Sequence, residues 1–589
     1  MIGSIRVQRD VAAGETGLTS EAFFYLCLCG LALFWRLLAG GSGPLSPGEA
    51  QQALAAHHLS QGSPALAETA DPSSPLLLSL QALLFALFGA HDALARLPVV
   101  VLTSLSPLAF WLLRPLLGRL SALMAAGLLV LSPCWTVAGA QGLGAGLGAT
   151  ALLFAFALAV QAAREHRRVW ASSAGAALAA ALASSGEAWG GLLVGMGVWL
   201  LLRRRRGEPR LSPLGRHWQS LSLSFLGTLM LLSTAGGLYP KGLQGVVDLP
   251  SAWAFSFVRP HPDALPRQVL LLLVYEPLLL VLGLATIAFV FPSTDWRKAI
   301  YLWTGVTLLM AIAGGRHMSG VLLALPALAV LSAEALQAMA RWWWPAGNSV
   351  DHPLDGRLRL EGLAASFALL GYGYVAVSGL AERGGTAFLV LSLTALGIGG
   401  SLLGLVLVRR GATAAVALVG MGALLVLVPW TLSNTFQGVG LRHAVPSDLL
   451  RAEISRQGLS DLLSDVERLS WSRTSSRHEL PLMVEERAGP LLLGWYLRDM
   501  RRLQWVREVP AEAGTEAIIT SGAAPILQAS VYVGQDYVIA SRWRPSFGGA
   551  REFLRWLLFR QGGSLSDERV TLWVQEGERD ERPRVLGGT

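Results

Sequence analysis

The sequence predicts a polytopic α-helical membrane protein with a small α/β domain at its C-terminal end, and three observations predict it. Apolar runs of about 18–25 residues, the length that crosses a bilayer, recur between residues 21 and 432. Arginine and lysine gather in the short loops between those runs. Beyond residue 432 the apolar runs shorten and charge spreads along the chain. With 53% hydrophobic and 15% charged residues among 589, one large soluble core is excluded. The net charge of +8 and pI near 9.8 do not mark a nucleic-acid partner, because the basic residues lie where membrane orientation requires them.

Residues 1–20 read as a polar cytoplasmic tail carrying Arg6 and Arg9, and residues 21–39 as a retained first span. That run exceeds the 7–15 residues of a signal-peptide core. The other spans are 92–113, 120–140, 143–163, 169–185, 188–202, 221–238, 267–291, 301–313, 321–340, 362–380, 386–408 and 412–432. Threaded in this order, the thirteen spans put Arg114, Arg119, Arg164, Arg167, Arg168, the Arg203–Arg206 cluster, Arg409 and Arg410 on one side. The N-terminus is then cytoplasmic and the C-terminus external. Residues 76–88 are too short to span and are expected to lie along the membrane surface. Counting them as a span would split the basic loops between both sides.

The first external loop, residues 45–91, therefore concentrates chemistry on one face. Glu49, His57 and His58 fall on a helix-compatible stretch after Pro47. Cys27, Cys29 and Cys134 lie in or beside apolar runs, with neither metal spacing nor a disulfide framework. No cofactor is indicated, and a divalent metal has no support in the residue pattern. Residues 433–589 read as an external α/β domain, with strands near 482–485, 504–509, 517–520, 537–540 and 570–574. Helices are expected at 450–469, 491–500 and 551–559, and no glycine-rich phosphate loop opens any of them.

The motifs Asp71-Pro72, Pro75-Leu76-Leu77, Leu87-Phe88-Gly89 and Arg96-Leu97-Pro98 follow the first span in order. Leu131-Ser132-Pro133, Tyr275-Glu276-Pro277, Gly489-Pro490 and Trp495-Tyr496-Leu497-Arg498-Asp499 come later. In this order they resemble the GT-C superfamily of membrane glycosyltransferases, of the protein mannosyltransferase and aminoarabinose transferase kind. The nearest resemblance is to the flippase-associated membrane proteins of archaeal N-glycosylation. The resemblance implies a polyprenyl-phosphate-linked sugar donor, a glycan or protein acceptor, and work at the outer face of the cytoplasmic membrane in building the cell envelope.

Two departures from that pattern stand out. The superfamily's first-loop Asp-Glu pair reads Gly48-Glu49 here, and the polar cluster expected after Pro133 is the uncharged TVAGAQGLGAGLG. Glu49 is a candidate base with His57 or His58 as partner, or a cap of the helix after Pro47. Arg316 and His317 fall in an outward loop and suit a lipid phosphate, or serve as an ordinary interfacial anchor. Glu276, inside a span, faces a substrate cavity or a neighbouring helix. Arg96 pairs with Glu49 or Asp92, or anchors the surface. Arg259 and His261 line the site or are solvated in the long loop 239–266. Three functions remain: a glycosyltransferase, an accessory that kept the fold and lost the acids, and a transporter. Against the last, no inverted repeat is visible.

Overall fold

The computed structural model describes residues 19–41, 43–69, 73–206, 217–258, 264–314, 319–343, 356–438, 448–451, 453–510, 514–521 and 532–575. The chain enters on α1 (Ser20–Gly40), whose Thr19 hydroxyl accepts from the Ala22 amide at 3.4 Å. The first loop then folds into α2 (Pro47–Ser60), α3 (Pro64–Thr69) and α4 (Pro75–Phe88). A serine followed by proline opens both α2 and α4, supplying a cap and a fixed φ at the first helical position. In α2 the cap is a full capping box, with Glu49 reaching back to the Ser46 amide. Gln52 of α2 bonds the Ser74 carbonyl at 3.1 Å and its amide at 3.2 Å, so the two helix starts are tied. The 14 residues of α4 bury Leu77, Leu78, Ala82 and Phe85 and turn Leu83, Leu87 and Phe88 outward.

The bundle continues with α5 (Asp92–Ser104), α6 (Ser106–Leu117), α7 (Arg119–Leu131), α8 (Pro133–Ala138), α9 (Gly144–Glu165), α10 (Arg168–Leu182) and α11 (Gly186–Arg206). Next come α12 (Trp218–Ser233), α13 (Gly242–Val258), α14 (Ala264–Tyr275), α15 (Pro277–Phe289), α16 (Asp295–Gly314), α17 (Ser319–Leu322) and α18 (Leu325–Trp343). Three long helices close it, α19 (Gly356–Glu382), α20 (Thr386–Arg410) and α21 (Ala412–Gly438). Each of the thirteen apolar runs lies on one of these helices or on a consecutive pair.

Among the described residues, six units are able by length and hydropathy to cross a membrane: α1, α5 with α6, α9, residues 360–382 of α19, α20 and α21. The pair Arg267–Tyr275 and Pro277–Phe289, bent by 91°, makes a seventh. The chain is thus a multi-pass membrane protein. One expectation is corrected: the long loop at 239–266 carries α13, whose apolar stretch outlasts the internal Pro250.

The uncharged segment after Pro133 also has a packing reason. A Cβ on Gly144 would stand 2.1 Å from the Ser184 carbonyl oxygen, and one on Gly146 would stand 2.4 Å from that of Ala138. Backbones approach here at distances that only glycine allows. Close packing, not solvent, occupies the place of the expected polar cluster.

The C-terminal layer is a six-stranded mixed sheet in the order β1-β5-β6-β4-β2-β3. Its strands are β1 (Glu453–Ser455), β2 (Leu482–Glu485), β3 (Leu503–Val506), β4 (Ala517–Thr520), β5 (Tyr532–Arg544) and β6 (Ser564–Gln575). The β2 strand pairs in parallel with β3 and β4, and the remaining pairs are antiparallel. Helices α22 (Gln457–Thr474), α23 (Pro490–Tyr496) and α24 (Ala550–Phe559) accompany it. The β1 strand was not expected, and β5 and β6 run far longer than their apolar cores suggest.

This layer does not stand apart from the membrane helices. Leu54, Ala55 and Leu59 of α2 and Phe85 of α4 share one hydrophobic core with Leu492, Leu493 and Trp495 of α23 and with the sheet. On the other side, Trp556 of α24 stacks on Trp543 at 5.5 Å, and Arg551 donates to the carbonyls of Ala381 and Glu382 at the end of α19.

Candidate functional site

The first loop and the C-terminal layer meet over a cavity of about 170 Å³. Ala39 at the end of α1, Ser46, Glu49, Arg96 and Gln141 form one wall. Gln437, Asp448, Arg451, Glu453 and Arg560 form the other. Of the expected site residues, the structure brings together Glu49 and Arg96 here.

Glu49 is buried, and each of its oxygens receives two donors. Oε1 accepts from Arg96 Nε at 2.8 Å and from the Gly142 amide at 2.7 Å. Oε2 accepts from Arg96 Nη2 and from the Ser46 amide, both at 2.8 Å. Four donors fill the lone-pair directions of a carboxylate. Burial disfavours the charged form, but the hydrogen bonds and charge of Arg96, with the two amides, outweigh it and hold the Glu49 pKa at about 2. Arg96 spends its remaining donors on the carbonyls of Gly40, Gly43 and Pro44. The pair is a clamp between the end of α1, the start of α2, α5 and the segment before α9.

His57 does not join Glu49. It lies eight residues further along α2, about 12 Å at the rise of a helix, and meets the Trp495 ring edge to face with centroids 6.3 Å apart. Burial pushes its pKa below the ordinary imidazole range, and the nearby Arg498 and His58 push it further. Burial lowers His58 as well.

Glu276 is fully buried at the break between α14 and α15. Its Oε1 accepts from Ser132 Oγ at 2.6 Å and from the Cys134 amide at 2.8 Å. The Leu131-Ser132-Pro133 and Tyr275-Glu276-Pro277 motifs are therefore two halves of one joint. Glu276 serves that joint and does not line the cavity. Arg259, His261, Arg316 and His317 lie outside the described residues, as does the Asp71-Pro72 motif.

The Trp495-Tyr496-Leu497-Arg498-Asp499 motif is a second clamp. Asp92 at the start of α5 accepts from Trp495 Nε1 at 2.8 Å and from the Tyr496 hydroxyl at 2.6 Å. The same hydroxyl accepts from the Leu45 amide at 2.7 Å. Arg498 sits 4.0 Å above the Trp495 ring and donates to the Ala90 carbonyl at 2.7 Å.

Sequence reasoning missed Asp448, Arg451 and Arg560. Asp448 Oδ1 accepts from the Tyr275 hydroxyl and from the Leu450 amide at 3.1 Å. Arg451 reaches back to the Ala39 carbonyl at 2.8 Å. Arg560 is buried in the left-handed region with φ of 56°, donates to Asn434 and Gln437 at the end of α21, and covers the Tyr275 ring at 4.8 Å. The one available signal was an acid and a base packed into the short stretch after the last apolar run. Among the described residues no cluster of histidine, cysteine and carboxylate is placed to hold a metal ion.

The bent and interrupted helices, the helical first loop and the docked C-terminal layer make up a multi-pass membrane fold similar to that of ArnT. A family model described as dolichyl-phosphate-mannose-protein mannosyltransferase matches residues 72–215. Nearly the whole chain is similar to ArnT from Cupriavidus metallidurans bound to undecaprenyl phosphate. The TM-score is 0.53 and the identity 15%, over 95% of this chain and 98% of that one. The apo state of ArnT gives 0.50 and 16%, over 94% and 98%. The archaeal oligosaccharyltransferase AglB from Archaeoglobus fulgidus, in complex with an inhibitory peptide and a dolichol-phosphate, is more distant. It reaches 0.42 and 11%, over 85% of this chain and 69% of that one, and no conclusion rests on it. No curated protein sequence matches the chain. At these identities the likeness fixes the fold and leaves the residue roles to the geometry.

Proposed function

We propose that this chain transfers a sugar from a polyprenyl-phosphate carrier to an acceptor at the outer face of the cytoplasmic membrane. The observation that carries the reading is the cavity where Arg451 and Arg560 converge beside carboxylates. Guanidinium groups suit a lipid phosphate, and carboxylates suit an acceptor hydroxyl. The undecaprenyl phosphate bound by ArnT supports a carrier of that class. In this reading Glu49 holds the loop in shape, and the carrier's phosphate approaches from the membrane along α1 and α5.

Native mass spectrometry of the purified chain with undecaprenyl phosphate and with phosphatidylglycerol tests the carrier. Preferential retention of undecaprenyl phosphate, weakened at least tenfold in the double variant Arg451→Ala and Arg560→Ala, is the expected outcome. Equal retention of both lipids sinks it.

A second reading has its own observation. Gly48 supplies no acid and Glu49 is fully engaged, which fits an accessory that binds lipid-linked glycan without transferring it. The two readings differ in whether another carboxylate in the cavity is free to act.

A further inference from the structure

Among the described residues three carboxylates line the cavity, and they are not equivalent. Glu49 is saturated by four donors. Glu453 is drawn into an ion pair with Arg542 of β5. Asp448 is different. Its Oδ1 is held by the Tyr275 hydroxyl and the Leu450 amide, while Oδ2 makes no hydrogen bond to any described residue. The group is therefore oriented through one oxygen and available through the other.

Its placement is firm. Tyr275 is fully buried at the joint where α14 turns into α15, so the donor that orients Asp448 belongs to the membrane bundle. Arg560 covers the same tyrosine ring, and Arg451 follows three residues after Asp448. A carboxylate with one fixed and one open oxygen, flanked by two guanidinium groups, has the parts that sugar transfer from a phosphate requires: a base and a charge partner for the leaving phosphate.

We propose that Asp448, carried by the segment after the last membrane helix, is the general base of the transfer, a role for which Gly48 offers no acid. The inference rests on the transferase reading above. In the step, Asp448 Oδ2 takes the proton of an acceptor hydroxyl as that oxygen bonds to the anomeric carbon. The bond between the anomeric carbon and the phosphate oxygen breaks with its electron pair, and polyprenyl phosphate leaves beside Arg451 and Arg560. Proton, electron pair and leaving group balance without a further reactant. The base thus comes from the C-terminal layer, and the cavity is complete only when that layer is docked on the first loop.

The test uses the full chain in a strain of the source organism that lacks it, with endogenous polyprenyl-phosphate-linked saccharides quantified by mass spectrometry. Loss of the chain leaves donor uncleared, and the wild-type chain clears it. Asp448→Asn, which keeps the shape and the Oδ1 bonds, slows clearance by about 10²-fold or more while membrane level and undecaprenyl-phosphate retention match the wild type. Asp448→Glu displaces the oxygen by about 1 Å and clears roughly tenfold slower than wild type yet faster than the Asn variant. Wild-type clearance by Asp448→Asn overturns the role of Asp448 and leaves the transferase reading standing. If the Asn variant fails to accumulate, wild-type clearance by Asp448→Glu overturns it. A saccharide pool unchanged by loss of the whole chain overturns the transferase reading and the role of Asp448 together.

Discussion

Arg96 grips Glu49 through two parallel bonds, Nε to Oε1 and Nη2 to Oε2, each 2.8 Å long. Both groups are nearly buried, so removing one strands the other's charge away from water. Loss of one partner from such a pair costs about 3–5 kcal/mol. Arg96→Ala is therefore expected to lower the thermal unfolding midpoint of the detergent-purified protein clearly. Arg96→Lys recovers little of the loss, because an ammonium cannot reproduce the fork. A midpoint within error of wild type for Arg96→Ala would show that the pair holds nothing.

The same pair sets a pH dependence. The Glu49 carboxyl is held at about 2 in the fold against an ordinary value of 4.5. Its contribution is fully present above pH 4.5 and is lost as pH falls from there toward 2. Glu49→Gln lacks the charge at every pH. The stability difference between wild type and Glu49→Gln should thus stay constant from pH 8 to 5 and shrink below 4.5. A difference that shrinks between pH 8 and 6 instead would contradict the assignment.

The second clamp is tested at Tyr496. Its hydroxyl donates to Asp92 and accepts from the Leu45 amide, so Tyr496→Phe leaves a carboxylate oxygen and a backbone N–H each short of a partner. About 1–3 kcal/mol is expected for a buried group left unsatisfied. Limited proteolysis should cut the Tyr496→Phe protein faster at the junction of the C-terminal layer and the membrane helices. Equal cutting rates would remove the clamp from the account.

These residues show how far the sequence carries. Glu49 and Arg96 stand at motif positions, so their pairing was among the expected arrangements, as was the five-residue stretch beginning at Trp495. What that stretch touches was hidden, because Tyr496 and Asp92 lie 404 positions apart and no periodicity links them. Helices were legible through most of the membrane region because their apolar runs are long, while α13, interrupted by Pro250, read as loop. The β5 and β6 strands were underestimated because their exposed ends, such as Gln535, Asp536 and Asp567, carry polar residues paired in a ladder and not buried in a core. Asp448 gave no signal beyond an acid close to a base. Its setting depends on Tyr275 and Arg560 arriving from two distant parts of the chain.

His57 gives a prediction of opposite chemical kind. Burial against Trp495 favours its neutral imidazole and lowers its pKa, with Arg498 and His58 reinforcing the shift. A histidine with a lowered pKa contributes stability above its ordinary value of 6.5, and that contribution is lost as pH falls through the folded value. Wild type should lose more stability than His57→Phe between pH 7 and 5. Parallel curves for the two proteins would place the acid sensitivity elsewhere.

The last prediction concerns orientation, and it follows from arginine positions. Arg119 opens α7 with its side chain 87% exposed, and Arg468 projects from α22 at 81%. Loops rich in arginine and lysine remain cytoplasmic because translocating several positive charges is disfavoured. The thirteen crossings expected from the sequence would put Arg119 inside and the C-terminal layer outside. In a background lacking Cys27 and Cys29, Arg468→Cys should react with a membrane-impermeant maleimide in intact cells. Arg119→Cys should react only after the membrane is opened. Reaction of both from outside would break the thirteen-crossing order while leaving the cavity at Asp448 at the outer face. If instead only Arg119→Cys reacts in intact cells, the protein is inverted, and transfer would have to draw on donor at the cytoplasmic face.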